Sequence, residues 1–121
     1  MTNRHIYSLL FVLSVFAIPS VALAHVHLEK SIPAKDEQLT TLPTTVQLWF
    51  SGNVEAEWSK IEVKDANGQR VDQGKVSAIA DSPKAIQIDL KSTISGTYEV
   101  KWNAVASDGH RIKGSFTFHL K

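Results

Sequence analysis

Four histidines and one aspartate carry most of the chemistry open to this chain. His25 and His27 stand in His25-Val26-His27, Asp108 and His110 in Ser107-Asp108-Gly109-His110, and His119 close to the C-terminal end. Imidazole nitrogens and carboxylate oxygens are ligands for divalent transition metals. The position of His25 gives it a further donor. An apolar run from Ile6 to Ile18 follows Arg4 and His5, Pro19 and Ser20 interrupt it, and Ala22-Leu23-Ala24 forms a small-residue exit. That pattern predicts a secretory signal over residues 1–24, cleaved after Ala24. The rival is an uncleaved membrane anchor, but the run of 13 residues is shorter than the ~20 needed to cross a bilayer. Once cleaved, His25 offers a free α-amine and an imidazole from one residue, which together close a compact chelate ring. An α-amine has a reference pKa near ~7.7–8.0, so freeing it for a metal costs little at neutral pH. An N-terminal histidine by itself is equally an accident of the cleavage site.

Asp108 and His110 add to the set. Residues two apart in extended backbone point to one side, and Gly109 permits the unusual dihedrals of a chelating turn. Asp-Gly is also an ordinary turn dipeptide, so the pair gains weight from its combination with His25 across the fold, where first and last strands can lie adjacent. Amine, two imidazoles and a carboxylate make an N₃O set suited to Cu(II), with zinc as the competitor. The chain has no cysteine, and its single methionine is Met1, so the soft ligands that Cu(I) prefers are absent after processing. His27 is the third residue of the processed chain. In a flexible tail it would chelate Cu(II) with the amine and two amides; in a strand those amides are engaged, and His27 reads as an outer-sphere neighbour of His25. His119 lies on the polar side of the last strand and reads as solvent-facing.

Composition narrows the classes. With Arg4 in the leader, basic and acidic residues of 25–121 balance, and nothing suggests nucleic-acid binding. Without cysteines, an exported domain is held by packing alone. No nucleophile-elbow motif supports a hydrolase.

The elements that must position these residues are strands. Val46, Leu48 and Phe50 alternate with Gln47 and Trp49; Ile61 and Val63 with Lys60, Glu62 and Lys64; Ile86, Ile88 and Leu90 with Gln87 and Asp89. Tyr98, Val100 and Trp102 alternate with Thr97, Glu99 and Lys101, and Phe116, Phe118 and Leu120 with Ser115, Thr117 and His119. Period two throughout, with no helical stretch of period 3.6, predicts antiparallel sheets packed face to face. Residues 25–121 therefore read as one all-β domain, an immunoglobulin-like β-sandwich of about seven strands, with a small barrel as the alternative. His25 to Ala34 reads as the extended first strand, Pro43 delays the second, and Asn67-Gly68 marks a hairpin leading into Arg70 to Gln73. Val54 to Trp58 reads as a helical turn or a loop.

The sequence resembles the CopC copper-resistance proteins along nearly all of residues 25–121. The resemblance is carried by Ala24-His25-Val26-His27-Leu28, Ser31-Ile32-Pro33-Ala34, Leu48-Trp49-Phe50-Ser51 and the long block from Gly96 through Asp108-Gly109-His110 to Phe118. It implies a periplasmic, Greek-key, immunoglobulin-like sandwich that binds Cu(II) through His25 (amine and imidazole), Asp108 and His110. Some members add a glutamate directly after the Phe-Ser pair; here that position is Gly52, for which Glu55 or Glu57 are weak substitutes. The methionines of Cu(I)-binding members are missing. A CopD-like inner-membrane copper protein is the implied partner, and the processed domain is expected as a monomer without a membrane anchor. The implied role is a copper carrier or buffer and not an enzyme. The alternatives are a histidine-brace copper oxidase of polysaccharides, disfavoured by small size and by the Asp ligand, and a purely structural domain.

Overall fold

Alternation of apolar and polar residues builds two four-stranded sheets. A computed structural model of the chain describes residues 14–17, 25–91 and 94–121; most of the expected 1–24 leader lies outside the described residues. The strands are β1 (Leu28–Ile32), β2 (Gln38–Leu39), β3 (Thr45–Phe50), β4 (Lys60–Lys64), β5 (Asp72–Ile79), β6 (Ser82–Leu90), β7 (Gly96–Val105) and β8 (Arg111–Leu120). One sheet has the order β1-β3-β6-β5 and the other β2-β8-β7-β4. Leaving aside β2, which joins β8 in parallel, this is the ABED and CFG arrangement of an immunoglobulin-like sandwich. Within each sheet the other pairings are antiparallel.

The core lies where the alternation places it. Val46, Leu48, Phe50, Ile61, Val63, Ile86, Ile88, Tyr98, Val100, Trp102, Phe116 and Phe118 are all buried. Phe50 from one sheet meets Trp102 from the other edge to face, with ring centroids 5.2 Å apart. Trp102 pairs across the ladder with Gly114, where a Cβ would come within 2.5 Å of the indole; only glycine leaves room for that ring. Trp49 points outward, as the alternation requires, and Lys30 Nζ lies 5.8 Å from its ring centroid. Trp58 ends a short 3₁₀ turn over Ala56–Trp58 and is 60% exposed.

Tyr98 forms the corner typical of such sandwiches. It is fully buried, stacks on Phe118 with centroids 5.0 Å apart, and its hydroxyl donates to the carbonyl oxygen of Ile94. This tyrosine near the start of β7 ties the preceding connection to the sheet. Tyr98→Phe is expected to lower unfolding free energy by about 1 kcal/mol, the net worth of a typical intramolecular hydrogen bond. Urea titrations that superpose for the two proteins would show the corner to be irrelevant.

Three expectations change in detail. Among the described residues the strands number eight, because a two-residue β2 is added, and β5 runs on through Ile79. The Asn67-Gly68 hairpin closes with a single bridge, Lys64 to Arg70, before the chain leaves for the other sheet at Asp72. Its loop is held by Asp65, whose carboxylate accepts the N–H groups of Asn67 and Gln69. Finally, β1 and β8 lie in different sheets, so His25 and His110 approach each other between the sheets and not along one ladder.

Candidate metal centre

His110 is carried by the β7–β8 hairpin. Val105 and Arg111 form the last strand pair, and beyond them the Ala106 N–H donates to the His110 carbonyl at 2.9 Å and the Gly109 N–H to the Ala106 carbonyl at 2.9 Å. The loop Ser107-Asp108-Gly109 thus has three residues, with Gly109 at φ +90°, a conformation that favours glycine. Asp108 and His110 therefore sit on a tight turn, not on the extended backbone their spacing suggests. The Asp108 carboxylate closes the turn: Oδ1 accepts the His110 N–H at 3.0 Å and Oδ2 lies 3.0 Å from His110 Nδ1.

That contact sets the electrostatics. The hydrogen bond to His110 holds the Asp108 carboxyl below the ordinary carboxylate range. The same bond raises the His110 imidazole above its usual value. An ionised carboxylate only accepts hydrogen bonds, so Nδ1 is the donor. Neutral His110 therefore keeps its proton on Nδ1 and presents Nε2 with a free lone pair, the form that ligates metals.

His25 reaches this turn because the strand-exit segment after β3 joins both sides. Ser51 N–H donates to the His27 carbonyl at 2.9 Å and Ser51 Oγ accepts the His27 N–H at 3.0 Å. Two residues on, the Asn53 carbonyl accepts the Ser107 N–H at 3.0 Å, and Glu55 N–H donates to the Val105 carbonyl at 2.8 Å. Segment 51–55 is thus stitched to the N-terminal segment on one side and to the hairpin on the other. Between the stitches lies Gly52, where a Cβ would meet Val26 Cγ2 at 2.8 Å. Val26 packs against the core through the space a side chain at 52 would need, and a glutamate there would have to displace it.

The result is that His25 and His110 face each other edge to face, with ring centroids 6.3 Å apart. Both are exposed. Among the described residues, no three His, Cys, Asp or Glu side chains converge closely enough to enclose a metal; the Asp108 carboxylate is turned toward His110. The ring of His27 turns back, with Nδ1 3.4 Å from the His25 carbonyl oxygen. Its amide is engaged by Ser51, an amide that chelation through a third-residue histidine would need. His119 lies at the far end of β8, roughly 30 Å along the strand from His110, beside Thr97 Oγ1 at 3.0 Å. Ser51 and Asn53 have no signal in the sequence, since their part is played largely by backbone groups, and Glu55 stands out there only as a weak substitute for a glutamate at Gly52. Glu55 does more than its backbone: its Oε1 accepts from Ser107 Oγ at 3.1 Å, which puts this carboxylate at the hairpin.

Fold and site together define a class: a disulfide-free immunoglobulin-like sandwich in which His25, just ahead of β1, meets His110 on the β7–β8 turn. The chain belongs to the CopC domain family, whose model matches residues 28–121. That match includes Asp108 and His110 and begins after His25 and His27. The chain is 33% identical to copper resistance protein C of Pseudomonas syringae pv. tomato, over 98% of each chain. It is 30% identical, over 98% of its length, to the copper transport protein CutJ of Bacillus subtilis (strain 168), of which it spans only 22%. Among solved structures it resembles CopC from Methylosinus trichosporium OB3b, with a TM-score of 0.75 and 30% identity over 80% of this chain and 94% of that one.

Proposed function

We propose that residues 25–121, released by cleavage after Ala24, form a monomeric periplasmic Cu(II) carrier or buffer without catalytic activity. The observation that carries this reading is the meeting of His25 with His110 at one end of the sandwich, rings 6.3 Å apart. Relatives named for copper resistance and copper transport support copper as the cargo. His25 would contribute amine and imidazole, His110 its Nε2, and Asp108 the one negative charge as well as the orientation of His110. His27 would lie outside the coordination sphere. A nitrogen-rich set containing one carboxylate favours Cu(II) over zinc by the Irving–Williams order. A sphere filled by protein donors leaves little space for a substrate, in contrast to an open catalytic site. A CopD-like inner-membrane protein is the proposed recipient.

The test is Cu(II) titration of the processed protein followed by EPR. One equivalent bound with nitrogen hyperfine structure, lost in His110→Ala, is the expected result; a copper spectrum indifferent to that change would sink the assignment. The pH dependence follows from the Asp108–His110 contact. His110 holds its proton to a higher pH than an unpaired imidazole, and protons compete with the metal for Nε2. Affinity should therefore decline on acidification starting above the ordinary histidine range. Affinity constant between neutral and mildly acidic pH would exclude histidine ligands.

A further inference from the structure

The outer face of the β4–β7–β8 sheet segregates its charge. By strand alternation it presents Lys60, Glu62 and Lys64 from β4, Glu99 and Lys101 from β7, and Arg111 and Lys113 from β8, five cations against two carboxylates. The register orders them in rows. Lys60, Asn103 and Lys113 lie side by side across the three strands, and the next row is Glu62, Lys101 and Ser115. Both carboxylates are turned to lysines of their own strands, Glu62 to Lys64 at 3.2 Å and Glu99 to Lys101 at 3.4 Å. Among the described residues, Lys60, Arg111 and Lys113 have no carboxylate within ion-pair distance. The uncompensated cations are thus the ones nearest the hairpin that carries Asp108 and His110.

This face is also concave. Lys60, Glu62, Lys101, Asn103, Lys113 and Ser115, together with Trp102 and Gly114, line a wide, open trough of about 540 Å³. Lys113 is three residues from His110, so the near edge of the trough lies roughly 10 Å along the strand from the histidine pair. A hollow receives a protruding segment, whereas a lipid surface fits a convex one.

We infer that this trough is a docking surface for a protein that presents an acidic segment and exchanges copper with the adjacent histidine pair. The inference rests on the carrier reading for what is exchanged, and on the charge and shape of the sheet for where the partner sits. Opposite charge steers encounter and fixes orientation more than it adds affinity. The partner's own metal site would then lie beside His25 and His110.

Two measurements test this. In the first, the copper-free processed protein, ¹⁵N-labelled, is titrated with a short oligoglutamate peptide and with its oligoglutamine counterpart. Shifts confined to the rows around Lys60, Lys101 and Lys113, with glutamate only, are expected; shifts scattered over all lysines overturn the docking site. In the second, copper transfer is timed from the loaded protein to a Gly-Gly-His peptide carrying either tail. The glutamate tail should speed transfer about tenfold at low salt. That advantage should vanish at high salt and in the Lys60→Glu, Lys113→Glu double variant, and persist in Lys35→Glu, Lys91→Glu. Equal rates for the two tails, or an advantage that survives in the first double variant, overturn the inference. So does binding to phosphatidylglycerol vesicles, or self-association, that the first double variant abolishes while transfer stays fast. If the protein takes up no Cu(II) but the mapped shifts appear, the carrier reading falls and docking stands.

Discussion

A processed protein carrying one extra residue ahead of His25 should bind Cu(II) about 100-fold more weakly than the protein beginning at His25, a loss of ~3 kcal/mol. The extension converts the α-amine into an amide, whose proton is far harder to displace than that of an ammonium group with a pKa near ~7.7–8.0. It removes one donor and opens the chelate ring that amine and imidazole form together. His25 is exposed, so the copper-free fold should be untouched and the melting temperature without metal unchanged. The stabilisation by saturating copper should shrink, since a ligand stabilises in proportion to the logarithm of its concentration over Kd. His25→Ala should cost more, because the imidazole is lost as well. Asp108→Asn separates two roles: if the carboxylate only orients His110, the loss is modest and the pH profile moves toward that of a free imidazole. If it also binds metal, affinity drops at every pH. An extended protein whose affinity matches the processed one within a factor of three would remove His25 from the site.

The largest expected effect on folding belongs to a residue with no part in that chemistry. Asp72→Ala should lower unfolding free energy by about 3 kcal/mol, as expected when one partner of a buried charged network is deleted. Asp72 is 2% exposed at the point where the chain passes from one sheet to the other. Its Oδ2 accepts the Val63 N–H at 2.8 Å and Arg70 Nε–H at 2.9 Å, and Oδ1 accepts the Gly74 N–H at 2.8 Å. Alanine would leave the Val63 amide unpartnered inside the sandwich and uncouple β4 from the start of β5. Burial alone would raise the Asp72 carboxyl, but hydrogen bonds from Arg70, Val63 and Gly74 outweigh it and hold the group below its ordinary value of 3.8. A lowered folded-state pKa means stability that is fully present above the unfolded value and lost as pH falls through the folded one. Wild type should therefore lose stability steeply only in strong acid, while Asp72→Asn should show a flatter acid limb in urea titrations. Identical limbs would show that Asp72 is not the group responsible.

Asp72 illustrates the kind of feature that sequence reading passes over. Its neighbours look like a short strand after Asn67-Gly68, a pattern that predicts a simple hairpin there. The actual crossing depends on an acid meeting the amide of Val63, nine residues back. β5 was similarly hard to see, because an edge strand with most of its residues exposed need not alternate. Where a strand has one dry face the alternation was decisive: Val46, Leu48, Phe50, Ile86, Ile88, Tyr98, Val100, Phe116 and Phe118 all point inward, since a one-residue slip would put every one of them in water.

The residues proposed to bind metal divide in the same way. Their types and numbers (His25 behind an expected cleavage point, Asp108 and His110 two apart around a glycine) are legible because donor chemistry is a property of the residues themselves. The all-β class was legible because burial of one face imposes period two. What only the tertiary structure decided is which donors meet and how they are turned. Segment 51–55 brings His25 to His110 through backbone hydrogen bonds, which any sequence can make and none announces. The hairpin folds Asp108 back onto His110, so that the carboxylate orients the ring in addition to any direct part it takes. Two of the cations nearest the histidine pair, Lys60 and Lys113, are more than fifty residues apart in the chain and become neighbours only through strand register. Local chemistry is written residue by residue, but proximity across a sandwich is set by pairing, and pairing is a property of the whole fold.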